Sequence, residues 1–336
     1  MTTPGKFPLH FRHARLQSVI QEGLADVENL LHASVKSDLP LLDEVSHHLI
    51  TAGGKRFRPA LTLLAAEFGD RDAPAVVKAA AAVELTHLAT LHHDDVMDEA
   101  LVRRGVASVN ARWGNRMAVR SGDFLLARAT QLAVSLGSDV LQSHGGVLRR
   151  LVRGQALEVN GPREGQDPVE HYFEVIADKT GALVAAATRF GALLAGADGH
   201  TVRLMDEFGE RIGVAFQLAD DILDISGEVG EFGKRIGTDL RRGVPTLPVL
   251  LIRSTSPVAG DATDSRLRLL LQEDLTDDTR HAEALHLIRR HPAFAEARAR
   301  TLRQAESARD LLAHLRRNPA RTVLEDLCTA VIERIA

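Results

Sequence analysis

Residues 73–98 read APAVVKAAAAVELTHLATLHHDDVMD, and this run decides the fold. Alanine, leucine and valine dominate here, and with arginine through the whole chain, a composition that favours helix over strand. At about 100° per residue, one stripe of such a helix carries Val83, His87, Thr90, Asp94 and Asp98. Asp94 and Asp98 lie one turn apart on that face and repel each other. They also stand at the C-terminal end of the helix, where the macrodipole disfavours anions. A bound cation accounts for both.

The acid pattern Asp94-Asp95-Val96-Met97-Asp98 recurs 126 residues later as Asp220-Asp221-Ile222-Leu223-Asp224. There Gly213, Phe216, Gln217, Asp220 and Asp224 share one side of a helix. Hard carboxylate oxygens in small number suit Mg²⁺, which leaves its other positions to water and phosphate. The first expectation is therefore a magnesium-bridged diphosphate held between two facing helices. Three basic segments complement the acids: GGKRFRP at 53–59, Arg103-Arg104-Gly105, and Lys179-Thr180-Gly181, which is expected to begin a helix. Backbone amides at a helix start, with Lys and Arg beside them, attract anions.

Composition narrows the class. The chain has 336 residues, 45% hydrophobic and 4% aromatic, and a net charge of −4 that gives no nucleic-acid footprint. Cys328 is the single cysteine, so no intrachain disulfide forms and a reducing compartment is expected. The most apolar run, Gly181 to Ala197, is interrupted by Arg189, so no membrane span is expected. The N-terminus has no signal-peptide core, and a cytoplasmic location is expected. Only six of the 41 basic residues are lysines, and three of these (Lys55, Lys179 and Lys234) fall in segments expected to meet phosphate.

Helical patterns cover 13–32, 37–51, 56–69, 73–98, 108–116, 120–136, 138–160, 168–177, 179–195, 198–226, 246–252, 263–273, 277–290, 292–315 and 319–335. The Gly-rich stretch 227–243 reads as an active-site loop, and 254–264 as a polar surface linker. The expectation is one all-α domain over 1–336, with a motif-bearing core at about 40–250 and C-terminal helices at about 263–335.

Five segments, GGKRFRP at 53–59, ELTHLATLHHDDVMDEALVRRG at 84–105, KTGAL at 179–183, FQLADDILDISG at 216–227 and GKRIGTDLRRGVPTLP at 233–248, together resemble the trans-isoprenyl diphosphate synthase (polyprenyl synthetase) family, medium/long-chain bacterial type. The resemblance implies a helical bundle of the isoprenoid synthase type with a central active-site cavity, usually as a homodimer. It implies that Asp94, Asp98 and Asp220 ligate Mg²⁺, three ions with Mn²⁺ as substitute, supported by Asp95, Asp221 and Asp224. The allylic diphosphate is then assisted by Arg103, Lys179, Gln217 and Lys234, and Thr180 and Gln217 direct oxygen dipoles at the cation. Isopentenyl diphosphate binds without metal to Lys55, Arg58, His87 and Arg104. Many members have Lys where this chain has Val244, and the C-terminus carries one Arg, Arg334, able to close over isopentenyl diphosphate but not assigned to that site.

The resemblance also bears on product length. In the family, bulky aromatics four or five residues before the first Asp block the cavity; here these positions are Ala89 and Thr90. With Thr86 and Val83 they form the expected chain-length pocket, whose next obstacle lies roughly 16 Å below Asp94. Gly181, Ala182, Ala185, Ala186 and Ala187 keep the helix after Lys179 slim, either to widen the channel or for close helix packing. The expected product is a trans-polyprenyl diphosphate of about C30 to C50, with transfer to a membrane expected to follow. Geranylgeranyl or farnesyl diphosphate synthase, a class I terpene cyclase, an HD-type phosphohydrolase built on His92-His93-Asp94-Asp95, and a noncatalytic subunit of a heteromeric synthase are the alternatives.

Overall fold

The computed structural model describes residues 9–227, 236–257 and 260–335. Lys234 lies outside the described residues. The helices are α1 (Ala14–Ser34), α2 (Pro40–Thr51), α3 (Phe57–Ala66), α4 (Pro74–Met97), α5 (Val109–Trp113), α6 (Asn115–Ser135), α7 (Ser138–Asn160), α8 (Pro168–Ile176), α9 (Ala182–Leu194), α10 (Gly199–Ser226), α11 (Thr238–Arg241), α12 (Leu247–Ser254), α13 (Ala262–Leu270), α14 (Asp278–Arg290), α15 (Pro292–Leu312) and α16 (Pro319–Ile335). A wide π turn, Ala177–Gly181, joins α8 to α9. Two short strands, β1 (Val102–Arg103) and β2 (Val106–Ala107), pair antiparallel with Arg103 opposite Val106. The fold class read from the sequence, all-α, holds.

The chain divides into two compact units. The first comprises Met1–Arg149, Ala182–Gly209 and Leu311–Leu327. Its axis is α4, packed against α1, α3, α6 and α9. A helix wrapped on all sides has no polar face to give to water. Accordingly Val76, Ala79 to Val83, Leu85, Thr86, Leu88 and Ala89 are all buried. The four consecutive alanines at 79–82 give α4 the slim waist that lets neighbours approach. Leu85, Leu88 and Ala89 join Leu31, Leu49, Val109, Leu125 and Ala129 in one apolar cluster.

Helices α3 and α9 approach each other closely. A Cβ on Gly191 would stand 2.1 Å from the Thr62 carbonyl oxygen, so only glycine lets these backbones touch. Thr188, on the same helix, donates its hydroxyl to the Met205 carbonyl at 2.6 Å. Small residues on α9 therefore serve close helix packing.

The second unit comprises Arg150–Gly181, Glu210–Asp310 and Cys328–Ala336. Within it α12 packs on α8 and α13 on α14. Its core includes Ile212, Ala215, Leu218, Ile222, Ile252, Leu270 and Ile288. A buried carboxylate, Asp178, accepts from Arg150 Nε at 2.7 Å and Arg153 Nη1 at 2.5 Å. Arg150 also holds Glu210 of α10 at 2.8 Å. This clamp fixes the π turn against α7 and α10.

Three local features depart from the sequence reading. Lys179 and Thr180 do not open a helix; they sit inside the π turn, in a helical path that continues from α8. The Arg103-Arg104-Gly105 segment is a two-residue hairpin, with Arg104 at φ 52 and Gly105 at φ 78. Positive φ at both loop residues is the primed turn that matches strand twist. Finally, α11 occupies part of the expected loop, started by the Asp224 carboxylate that accepts from the Thr238 and Asp239 amides at 3.1 and 3.0 Å.

Candidate active site

In the first unit the acid end of α4, the β1–β2 hairpin and the 53–58 loop come together. Asp94 is half-buried and Asp98 exposed at the helix end, whereas Asp95 is fully buried. Asp95 Oδ1 accepts from Arg103 Nε at 2.8 Å and Nη2 at 2.5 Å. Burial pushes the Asp95 carboxyl up, and Arg103 opposes that shift. Its Oδ2 has no hydrogen-bond partner in the protein. The outer two acids of the pattern thus face outward, and the middle one ties the helix to the hairpin.

Arg104 reaches the other way. Its Nη1 donates to the Leu49 carbonyl at 3.0 Å and to the Gly53 carbonyl. A Cβ on Gly54 would stand 2.8 Å from Arg104 Cζ, so that glycine makes room for the guanidinium. Arg56, at φ 45, is buried and fully engaged by Glu28, Glu84 and the Ile50 carbonyl. Arg58 is half-buried in the first turn of α3, and its Nε has no hydrogen-bond partner in the protein. Lys55 is exposed on the loop. His87 is held well below the usual imidazole range by burial, then by Arg58, Arg104, Arg103 and Arg56. The structure brings Arg58, His87, Arg103 and Arg104 into one cationic cluster.

Neighbouring histidines have structural roles. His92 Nδ1 meets Ser121 Oγ at 2.8 Å, and burial pushes the ring down to about 3. His93 Nε2 meets the Val119 carbonyl at 3.2 Å. Both rings are held by partners on α6.

Along α4, Val83, Thr86 and Ala89 are buried and Thr90 is half-buried. Thr86 Oγ1 donates to the Ala82 carbonyl at 2.8 Å and Thr90 Oγ1 to the His87 carbonyl at 2.8 Å. Both hydroxyls are turned onto their own helix.

The second acid cluster repeats the design. Asp220 is exposed, and Asp221 is buried. Asp221 Oδ1 accepts from Gln217 Nε2 at 3.0 Å, and Oδ2 accepts from the Tyr172 hydroxyl. Burial pushes Asp221 up to about 7 against those two donors. Gln217 Oε1 in turn accepts from Thr180 Oγ1 at 3.2 Å, and Lys179 pairs with Glu158. Thr180, Gln217 and Asp221 thus form one chain of hydrogen bonds. Arg334 Nη2 lies 3.3 Å from Asp220 Oδ1, with its guanidinium 5.4 Å from the Phe216 ring centre. Val244 is exposed.

Sequence reasoning missed Tyr172 and Glu84, and did not foresee the pairing of Arg334 with Asp220. Tyr172 carried a signal as the only tyrosine in the chain. Glu84 carried one as a lone carboxylate in an apolar run, since buried charges demand partners. Arg334 carried none, because its pairing is 114 residues distant in sequence.

A family profile described as Polyprenyl synthetase matches residues 39–288. The chain belongs to the polyprenyl synthetase family. It is 42% identical over 319 residues, 94% of each chain, to a nonaprenyl diphosphate synthase of Mycobacterium tuberculosis. It is 36% identical to heptaprenyl diphosphate synthase component 2 of Geobacillus stearothermophilus, covering 95% of this chain and 98% of that one. A geranylgeranyl pyrophosphate synthase structure from Corynebacterium glutamicum, complexed with calcium and isoprenyl diphosphate, superposes with TM-score 0.86 at 39% identity over 97% of this chain and 99% of that one. As a polyprenyl synthetase the protein is a prenyltransferase with the isoprenoid synthase fold. Among the described residues no helix is long and apolar enough to cross a membrane.

Proposed function

We propose that this polyprenyl synthetase condenses isopentenyl diphosphate with an allylic diphosphate to give a trans-polyprenyl diphosphate of about C30 to C50, and that Asp94, Asp98 and Asp220 do so with Mg²⁺. One observation carries the reading: each acid pattern keeps its middle carboxylate, Asp95 or Asp221, locked by protein donors and leaves its first acid at the surface. That fits an ion whose remaining ligands are substrate oxygens and water. Bound Mg²⁺ would supply Lewis-acid polarisation of the leaving diphosphate.

The protein's own groups supply the rest. Lys55, Arg58, His87 and Arg104 hold the diphosphate of isopentenyl diphosphate, which is retained through the reaction and needs only ordinary cations and donors. Arg103, Lys179 and Lys234 attend the allylic diphosphate. The allylic C–O bond breaks, the isopentenyl double bond forms the new C–C bond, and the surplus proton leaves on the released diphosphate. The Thr180 hydroxyl donates to Gln217, so its lone pairs are left to face the developing cation. The growing chain follows the methyl-lined face of α4 past Thr90, Ala89, Thr86 and Val83. The active form is a homodimer in the cytoplasm, with the product handed to a membrane.

Purified protein given Mg²⁺, labelled isopentenyl diphosphate and farnesyl diphosphate is expected to yield a ladder ending between about C30 and C50 by mass spectrometry. A product arrested at geranylgeranyl diphosphate would overturn the chain length. No incorporation with any allylic primer would overturn unaided catalysis and favour the heteromeric reading, for which the relative named as a component 2 is a precedent.

Ala89→Phe tests the wall. Ala89 is fully buried beside Leu85 and Leu88, and on the proposed reading a phenyl ring there shortens the channel. The dominant product should fall by several isoprene units while the first condensation keeps its rate. An unchanged product distribution in a folded variant would remove Ala89 from the wall.

A further inference from the structure

The cationic cluster of the first unit contains a buried carboxylate that no step so far has used. Glu84 is 2% exposed, on α4 one turn before His87. Its Oε1 lies 3.0 Å from Arg56 Nη1 and 3.5 Å from Arg104 Nη2. Each of those arginines is also fixed from its far side. Arg56 is gripped by both oxygens of Glu28, at 2.7 and 2.9 Å, and by the Ile50 carbonyl at 3.1 Å. Arg104 is gripped by the Leu49 and Gly53 carbonyls. Glu84 therefore joins three elements that are separate in sequence: the 53–56 loop, the turn of the β1–β2 hairpin, and α4.

We propose that Glu84 is the positioning residue of the isopentenyl diphosphate site, holding Arg104 and, through Arg56, the Lys55–Arg58 loop in the geometry that receives the diphosphate.

Two physical points support it. Arg56, Arg58 and Arg104 crowd one partly buried region, and without an internal anion their mutual repulsion would drive them apart. Arg56 is a clip rather than a phosphate ligand: its Nε and both terminal nitrogens are engaged by protein acceptors, and its left-handed backbone is sustained by those bonds. A guanidinium fork binds phosphate well only when its plane is set beforehand. Glu84 acts on Arg104 and on the loop, and does not itself meet substrate.

The inference rests on the proposed isopentenyl diphosphate site and can fail separately from it. In Glu84→Gln the side-chain shape and one hydrogen bond survive and the charge is lost. With farnesyl diphosphate saturating, KM for isopentenyl diphosphate should rise on the order of 10- to 100-fold. KM for farnesyl diphosphate and the Mg²⁺ requirement should stay within about twofold, since Asp94 and Asp220 are untouched. Calorimetry in EDTA should show the same loss for isopentenyl diphosphate alone. Glu28→Gln loosens Arg56 from the more exposed side and should raise the same KM by a smaller factor, about 2- to 10-fold; it also serves if Glu84→Gln does not fold.

Opposite pulls make the sign informative. Losing a carboxylate makes the cluster more positive, so if Glu84 only tempered charge, both variants would bind isopentenyl diphosphate and inorganic pyrophosphate more tightly. Tighter binding, or an unchanged KM in folded variants, overturns the positioning role. A wild-type protein that neither condenses nor binds isopentenyl diphosphate in EDTA would instead overturn the reading of the site.

Discussion

Replacing Asp94 with alanine is expected to lower kcat by about three orders of magnitude, the scale lost when a group that stabilises transition-state charge is removed. Asp94 belongs to the last turn of α4, and its side chain reaches the surface while the packed length of the helix lies behind it. The change removes a charge beside Asp98 and lies outside the apolar cluster around Leu85 and Leu88, so helix content should be unchanged by circular dichroism. Binding of isopentenyl diphosphate in EDTA should also persist, because Arg58, His87 and Arg104 remain. Turnover within tenfold of wild type would exclude Asp94 from metal binding and with it the two-cluster reading. Loss of metal-free isopentenyl diphosphate binding in the same variant would show that the two diphosphate sites are not independent.

Gly191→Ala is expected to destabilise the scaffold. The added methyl would lie 2.1 Å from the Thr62 carbonyl oxygen and 3.0 Å from Ala65 Cβ, so α9 and α3 must separate. Overpacking of this kind costs about 1–3 kcal/mol and occasionally more, and the better helix propensity of alanine returns about 1 kcal/mol of it. With a backbone oxygen as the obstacle the cost falls at the upper end of that range, and a net loss of about 2 kcal/mol should lower the thermal midpoint by about 3 °C in a chain of this size. Gly146→Ala on α7 is the control: nothing lies within 4 Å of its Cβ, and the midpoint should hold or rise. Because α3 carries Arg58 in its first turn, the Gly191 variant should also raise KM for isopentenyl diphosphate, measured by initial rates. Equal midpoints for the two variants would show that α3 and α9 adjust freely.

Much of this architecture was legible because long helices declare themselves. The expected 73–98 helix is observed at Pro74–Met97 and the expected 319–335 helix at Pro319–Ile335. The i, i+4 spacing placed Asp94 and Asp98 on one face of the helix, and the structure adds that Asp95 is tied inward to Arg103. In the second pattern the same logic was incomplete, because the Asp224 carboxylate caps a four-residue helix too short to leave a period. The hairpin at Arg104-Gly105 was hidden because its strands have two residues each, and because Arg rather than Asn takes the first positive-φ position. The π turn was read as a helix start since Thr180 and Gly181 look like a boundary; the clamp on Asp178 that sustains it comes from Arg150 and Arg153, distant in sequence. Glu84 and Tyr172 were passed over because their meaning lies in which buried partner they reach.

Thr86 and Thr90 count as polar in any hydropathy tally, yet each hydroxyl is bonded to its own helix and each presents a methyl. On the proposed reading, a hydrocarbon sliding along that face meets no polar notch at which one length is preferred over another. Every added isoprene unit gains the same dispersion contact as the last. The wall is then a smooth ruler without graduations, and product length is read only where the ruler ends. Variation that moves the end of the groove should change the length in whole-unit steps, whereas exchange of Thr90 for valine, equal in shape and lacking only the inward-turned hydroxyl, should leave the measurement as it was.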